Sequence, residues 1–135
     1  MNANTEIVFK DLSFKIVGLA MEVHNELGGG FLEKVYENAL MVQFKNNHIP
    51  AEQQKAIPVK FKNETVGEYF ADIVVDNKII LELKVVDQVI DIHRAQAVHY
   101  LKATGFELAI LINFGKRKLT YERFVNQHSR HSRHS

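Results

Sequence analysis

The stretch that decides the fold is residues 70–84, FADIVVDNKIILELK, in which two apolar runs flank a short polar turn. The first run ends at Val75, the turn is Asp76-Asn77-Lys78, and the second run begins at Ile79. Apolar runs on either side of a turn predict a β-hairpin. The second run is apolar almost throughout, which is typical of a central strand that is covered on both faces.

Outside the turn, three charged residues lie in this stretch: Asp72 in the first run, and Glu82 and Lys84 in the second. A buried charge costs several kcal/mol unless it is paired or binds a metal, so these residues need partners. A three-residue turn places Asp72 directly opposite Glu82 and Phe70 opposite Lys84. A two-residue loop would instead put the two carboxylates on opposite faces of the sheet. A shared site therefore predicts the three-residue turn.

Two carboxylates at this separation suit a hard divalent cation, Mg²⁺ or Mn²⁺, because these ions prefer oxygen ligands and keep several waters. A lysine beside them can orient or deprotonate an attacking water and stabilise charge on a phosphate. The trio of Asp72, Glu82 and Lys84 therefore suits metal-assisted hydrolysis of phosphodiester bonds. An acid-x-lysine tripeptide also occurs about once by chance in such a chain. An internally neutralised group of charges is the alternative explanation.

The other elements follow from hydrophobic periodicity. Apolar residues at helical spacing predict three helices, over residues 5–27, 32–47 and 92–104. Alternating or continuous apolar runs predict five strands, over residues 57–61, 66–75, 79–85, 108–113 and 119–124. This order predicts an α/β fold with a mixed central sheet flanked by helices. In that sheet, a parallel strand joins an antiparallel three-strand meander after a crossover helix.

The composition is that of a single globular domain. The 135 residues, 46% of them hydrophobic, suffice for one core and are too few for two ordinary domains. The absence of cysteine excludes disulfide scaffolds, thiolate zinc sites and cysteine nucleophiles. No segment approaches the roughly 20 apolar residues that cross a bilayer, and residues 1–10 lack a leader pattern, so we expect a cytoplasmic protein without membrane contact. We expect one domain over residues 1–126 and a disordered Ser-Arg-His tail over residues 127–135.

Several motifs resemble those of the PD-(D/E)XK nuclease superfamily. Asp72 followed by Glu82-Leu83-Lys84 resembles its split D…(D/E)xK signature, and the order of helices and strands resembles its restriction-endonuclease-like core. Residues 30–36, GFLEKVY, read G-x-x-E-x-x-Y, as in the small prokaryotic GxxExxY proteins of that superfamily. Residues 96–100, QAVHY, read Q-x-x-x-Y, similar to a helical motif of RecB-type nucleases. Ala71 stands before Asp72, where the superfamily's name has a proline.

The resemblance implies roles for the residues around the metal. Asp72 and Glu82 would be the principal ligands of Mg²⁺ or Mn²⁺, and Lys84 the catalytic lysine. Glu33 would be an acid that the helix holds near the metal, and the backbone carbonyl of Leu83 would be a further ligand. Without the resemblance, Glu33 is an acid favoured by the helix dipole at the first turn of its helix.

The resemblance also implies residues that contact the substrate. Gln96 and Tyr100, four apart on one helical face, would line the cleft together with His93 one turn earlier. Tyr36 belongs to the same set. The alternative for Gln96 and Tyr100 is a polar helix edge, and for Tyr36 it is a packed ring whose hydroxyl has a partner.

The preferred hypothesis is a metal-dependent nuclease that hydrolyses phosphodiester bonds, with DNA favoured over RNA. A catalytically silent nuclease-fold module that binds nucleic acid or a partner protein is the alternative, because the net charge of only +1 offers no general attraction for nucleic acid. Such a small domain would gain surface from a homodimer or a partner protein. In a third hypothesis, a metal-free domain, Lys84 neutralises Asp72 and Glu82, and apolar replacement of all three preserves or raises stability.

Overall fold

The computed structural model describes residues 8–126, which form three helices and five strands. The helices are α1 (Lys10–Leu27), α2 (Glu33–Asn46) and α3 (Asp91–Thr104). The strands are β1 (Ala51–Phe61), β2 (Glu64–Val75), β3 (Ile79–Lys84), β4 (Leu108–Asn113) and β5 (Thr120–Val125). The tail expected at residues 127–135 lies outside the described residues, and the extent of the domain stays a prediction.

The strands form one mixed sheet in the order β1-β2-β3-β4-β5. The pairing of β3 with β4 is parallel, and the other three pairings are antiparallel. Helix α3 makes the crossover between β3 and β4, because two parallel strands can be joined only by a long link. The predicted α/β fold, an antiparallel meander extended by a parallel strand, is confirmed.

The sheet lies between two helical layers. Helices α1 and α2 pack on one face, where their apolar residues surround Leu81 and Ile110. Helix α3 packs on the other face, where Leu101 meets Ile57 and Ile80. Because each face is covered, β3 and β4 are buried on both sides, which explains their nearly continuous apolar sequence.

Two elements, β1 and α1, begin well away from the residues that their apolar patterns predicted. Strand β1 starts at Ala51 rather than at residue 57, because β1 is an edge strand whose polar residues remain accessible while its backbone pairs with β2. Helix α1 starts at Lys10, and residues 5–7 of its predicted span lie outside the described part of the chain. Phe9 before it has a left-handed backbone, with φ 49°, which cannot continue a right-handed helix.

The turn between β2 and β3 has three residues, as the shared-site hypothesis predicted. Val75 pairs with Ile79, and Lys78 N donates a hydrogen bond to Val75 O at 2.9 Å. Asp76 and Asn77 both have positive φ, 50° and 52°. Asp and Asn tolerate this left-handed backbone better than other side chains do, so the sequence fits the turn.

The segment that follows β3 is held against the end of β4. Asn113 Oδ1 accepts hydrogen bonds from Val86 N and Gly115 N, at 3.1 and 2.9 Å, and Asn113 Nδ2 donates to Val86 O at 2.9 Å. Phe114 N donates to Lys84 O at 2.8 Å. The exit of β3, and with it the backbone of Lys84, is therefore fixed by β4.

None of the helices in residues 8–126 combines the length and the apolar character that a membrane crossing requires.

Candidate active site

The two central carboxylates meet where the backbone ladder between β2 and β3 stops. The last pair of that ladder is Ile73 with Leu81, so Asp72 and Glu82 come next in the same register. There, side chains replace the ladder: Leu83 N donates to Asp72 Oδ2 at 2.8 Å, and Asp72 N donates to Glu82 Oε2 at 3.4 Å. The structure therefore brings Asp72 and Glu82 together as the sequence predicted.

The predicted pairing of Phe70 with Lys84 is wrong. Because the β2–β3 ladder ends at Ile73 and Leu81, the strands no longer pair at these positions. Phe70 is exposed and Lys84 is half-buried.

The other neighbour of Asp72 is also irregular. Gln54 on β1 lies opposite Asp72 and has φ 49°. Neither of these two residues is paired in the β1–β2 ladder. The burial pattern inverts at this point, since Tyr69 and Ala71 pack on the α3 side of the sheet whereas Ile73 packs beneath α1 and α2. Asp72 thus lies at a break in the strand, where its carboxylate can turn towards Leu83 and Glu82.

The carboxylates create an excess of negative charge. Burial, and then the charge of Asp72, raise the pKa of Glu82 to about 7, although Lys84 acts in the opposite direction. Burial raises the pKa of Asp72 as well, and the charge of Glu37 adds to the effect. Partial burial of its carboxyl raises the pKa of Glu33, and the charge of Asp72 raises it further. Glu33, at the start of α2, therefore shares one electrostatic cluster with Asp72, Glu82 and Lys84.

Lys84 forms no ion pair within residues 8–126, although its charge acts on all three of these acids. Direct neutralisation of Asp72 and Glu82 by contact, as the metal-free hypothesis envisages, is therefore not present in the described part of the chain. A lysine near two carboxylates but not bound to them keeps its ammonium group available for another anion.

Sequence reasoning missed a second layer behind Asp72. Glu37 is only 4% exposed and accepts hydrogen bonds from Lys34 Nζ, Gln53 Nε2 and Gln54 Nε2, at 2.9, 2.7 and 3.1 Å. Gln54 Nε2 also donates to Asp72 Oδ1 at 3.5 Å. Glu37 therefore supports Asp72 through Gln54. Its position four residues after Glu33, on the same face of α2, was the signal that could have found it.

The structure corrects the expectation that Tyr36 contacts the substrate. The side chain is fully buried, and its ring stacks on Phe114 with 4.5 Å between ring centroids. The hydroxyl donates to Gly28 O at 2.6 Å and accepts from Phe31 N at 3.4 Å. Tyr36 thus ties the glycine loop to the start of α2, and in this way it fixes where Glu33 begins that helix.

The three residues expected at the substrate all lie on α3 and differ in their surroundings. His93 Nδ1 accepts a hydrogen bond from Ile90 N at 3.3 Å and so caps the start of the helix. Gln96 is exposed. Tyr100 is half-buried, and its ring stacks on Tyr69 with 3.7 Å between ring centroids. Substrate contact by Gln96, Tyr100 and His93 stays a prediction.

A divalent cation fits the donor set. Asp72 and Glu82 offer hard oxygen ligands, and their mutual repulsion would be relieved by a positive charge between them. No group of three or more His, Asp or Glu side chains in residues 8–126 is close enough to hold a metal ion. A pair of carboxylates suits Mg²⁺, which commonly binds proteins through one or two carboxylates and retains several waters. The carbonyl of Leu83 as a further ligand stays a prediction.

The raised pKa of Glu82 predicts how stability depends on pH. The folded protein disfavours ionised Glu82, so protonated Glu82 contributes to the free energy of unfolding. This contribution is fully present below the ordinary pKa of 4.5 and is lost as the pH rises through about 7. In EDTA, the free energy of unfolding should therefore fall by about 3 kcal/mol over this range. We expect Glu82→Gln to remove this decline in urea denaturation curves measured between these pH values. The exposed Glu68→Gln should keep it, and parallel curves for wild type and Glu82→Gln would contradict the prediction.

Comparisons with known proteins agree with this geometry. A family model described as the PD-(D/E)XK nuclease superfamily matches residues 10–124. The crystal structure of SSO0001 is similar in fold, with a TM-score of 0.54 and 19% sequence identity over 70% of this chain and 50% of that one. The chain therefore spans half the length of that protein. A search of curated proteins found no match.

Proposed function

Because the chain belongs to the PD-(D/E)XK nuclease superfamily, we propose that it is a metal-dependent nuclease that hydrolyses phosphodiester bonds in DNA. The observation that carries the proposal is the pair Asp72–Glu82, joined by hydrogen bonds at the break in the β2–β3 ladder, with Lys84 on the same strand as Glu82. Membership of the superfamily supports the nuclease fold, and these residues supply the chemistry that hydrolysis needs.

In this proposal Asp72 and Glu82 hold the cation, Mg²⁺ or Mn²⁺, and Glu33 adds negative charge from the start of α2. The bound ion would polarise the phosphate and lower the pKa of a water. Hydrolysis joins the oxygen of water to phosphorus and breaks the bond from phosphorus to the leaving oxygen, which receives a proton in exchange for the one that the water gives up. Lys84 orients the attacking water and offsets the negative charge on the phosphoryl oxygens. Glu37 and Gln54 keep the Asp72 carboxylate in place.

We also propose that the chain belongs to the GxxExxY group within the superfamily, because the motif has a structural logic here. Gly28 and Gly30 have positive φ, 72° and 98°, which allows the sharp turn from α1 to α2. The Tyr36 hydroxyl binds Gly28 O across this turn. Glu33 lies between the glycines and the tyrosine, so both ends of the motif hold the helix start that presents its carboxylate.

Cleavage of labelled single- and double-stranded DNA tests the proposal. We expect products with Mn²⁺ or Mg²⁺ and none in EDTA, and the activity should elute with the protein in size-exclusion chromatography. Activity that elutes elsewhere would belong to a contaminant. Metal-independent cleavage, or the absence of cleavage with every substrate and metal, would overturn the proposal. In the second case, retained DNA binding would favour the catalytically silent binding module.

A further inference from the structure

We propose that Tyr69 is a positioning residue that orients the Glu82 carboxylate through its phenol hydroxyl, and that Tyr100 acts through Tyr69 by stacking on its ring. The inference rests on the proposed function and deepens it. It adds a residue, Tyr69, that none of the sequence motifs contains, and it gives the tyrosine of the Q-x-x-x-Y motif a role that requires no contact with the substrate.

The first observation is the position of the Tyr69 hydroxyl. Tyr69 lies on β2, three residues before Asp72, and is only 7% exposed. Its phenol lies beside the Glu82 carboxyl and interacts with it. A phenol hydroxyl is a hydrogen-bond donor and can donate to a carboxylate. Glu82 is the acceptor that its surroundings provide.

The second observation is that this hydroxyl lacks a hydrogen-bond partner of normal geometry among the residues that the structure describes. A buried hydroxyl without a partner destabilises a fold, so its presence calls for a reason. Hydrogen bonds in active sites are often long without substrate and shorten when the site is complete. A small shift of Glu82 towards its ion-binding position would complete the bond from Tyr69, which explains why a phenol rather than a phenyl ring lies here.

The third observation is the support behind Tyr69. The rings of Tyr69 and Tyr100 are stacked, with 3.7 Å between centroids and 15° between planes. Ile57 and Leu101 pack in the same cluster. Because the stacked ring fixes the plane of Tyr69, the direction of its hydroxyl is set by α3. Helix α3 thereby influences the orientation of Glu82 through one intervening side chain, that of Tyr69.

A packing role and a positioning role predict opposite results for Tyr69→Phe. This variant keeps the ring and its stacking but removes the hydroxyl. If Tyr69 serves only packing, Mn²⁺ binding stays at the wild-type level, because the packed ring remains. If Tyr69 orients Glu82, Mn²⁺ binding weakens about 10-fold, as is typical when the partner of a metal ligand is removed. The melting temperature should not fall, because Tyr69→Phe removes a buried hydroxyl that has no hydrogen-bond partner of normal geometry in the described residues.

The experiment measures Mn²⁺ affinity by the electron paramagnetic resonance signal of free Mn²⁺, and it measures thermal unfolding and DNA cleavage on the same preparations. Tyr100→Leu removes the ring that stacks on Tyr69 and should weaken Mn²⁺ binding towards the level of Tyr69→Phe. The control is Tyr121→Phe, which removes the hydroxyl of an exposed tyrosine on β5 and should change neither affinity nor cleavage.

The outcomes separate this inference from the proposed function. Wild-type affinity in Tyr69→Phe overturns the inference and leaves the proposed function intact if the wild type cleaves. A wild type that binds Mn²⁺ without cleaving DNA overturns the nuclease, while the affinity of Tyr69→Phe still decides the role of Tyr69. A wild type that binds no Mn²⁺ overturns both.

Discussion

Replacing Lys84 with methionine is expected to reduce metal-dependent DNA cleavage by about 100-fold or more, with little change in stability. Removal of a group that stabilises charge in the transition state typically costs a factor of about 10²–10³. Methionine keeps the length and the apolar stem of the half-buried lysine. Lys84 has no ion pair within residues 8–126, so its replacement does not deprive any carboxylate there of an ion-pair partner.

The measurement is the rate of cleavage of labelled DNA at saturating Mn²⁺, with unfolding in urea followed in parallel. Lys102→Met is the matched control, because Lys102 is an exposed lysine in the last turn of α3. Asp72→Asn should lose cleavage to at least the same degree, since it removes a proposed ligand. A Lys84→Met protein that cleaves at the wild-type rate would remove Lys84 from the reaction.

Replacing Gly115 with alanine is expected to destabilise the protein by about 3 kcal/mol or more. A Cβ at this position would lie 2.4 Å from both the N and the O of Val86 and 2.8 Å from the carbonyl carbon of Val85. These are backbone atoms, and those of Val86 are held by the Asn113 side chain. The added methyl group must therefore displace the exit of β3, which also carries Lys84.

The midpoint of urea denaturation measures this effect. Gly18→Ala in the middle of α1 is the control, because a Cβ there meets no atom within 4 Å. Alanine favours helix over glycine, so this control should stabilise the protein by about 0.5–1 kcal/mol. Equal stability of the two alanine variants would mean that the segment after β3 does not approach Gly115.

The order of elements and the position of the acid pair were predictable because both depend on local signals. The three-residue turn at Asp76–Lys78 sets the register, and the register brings Asp72 to Glu82. The parallel return of β4 follows from the long helical link between two apolar strands. These features need only the spacing of residue types along the chain.

The surroundings of the pair were not predictable in the same way. The start of β1 was missed because an edge strand carries polar residues, and apolar alternation cannot mark it. Tyr36 was expected at the substrate, whereas its hydroxyl binds Gly28 O, a partner that the loop geometry alone provides. Glu37 and Tyr69 act on Asp72 and Glu82 from other elements of the fold. No spacing within one segment encodes such contacts, because they arise when α2, β1 and β2 pack together.

The hydrogen bonds by which Asn113 of β4 fixes the segment after β3 also bear on the order in which the site assembles during folding. Asp72 and Glu82 are joined across a hairpin with a sequence separation of ten residues, whereas Asn113 must return over 27 residues to reach Val86. Short loops close faster than long ones. We therefore expect the two acids to meet early and the lysine to be fixed late. A nascent chain that ends before β4 would contain both proposed ligands of the cation, but the position of the proposed catalytic lysine would not yet be fixed.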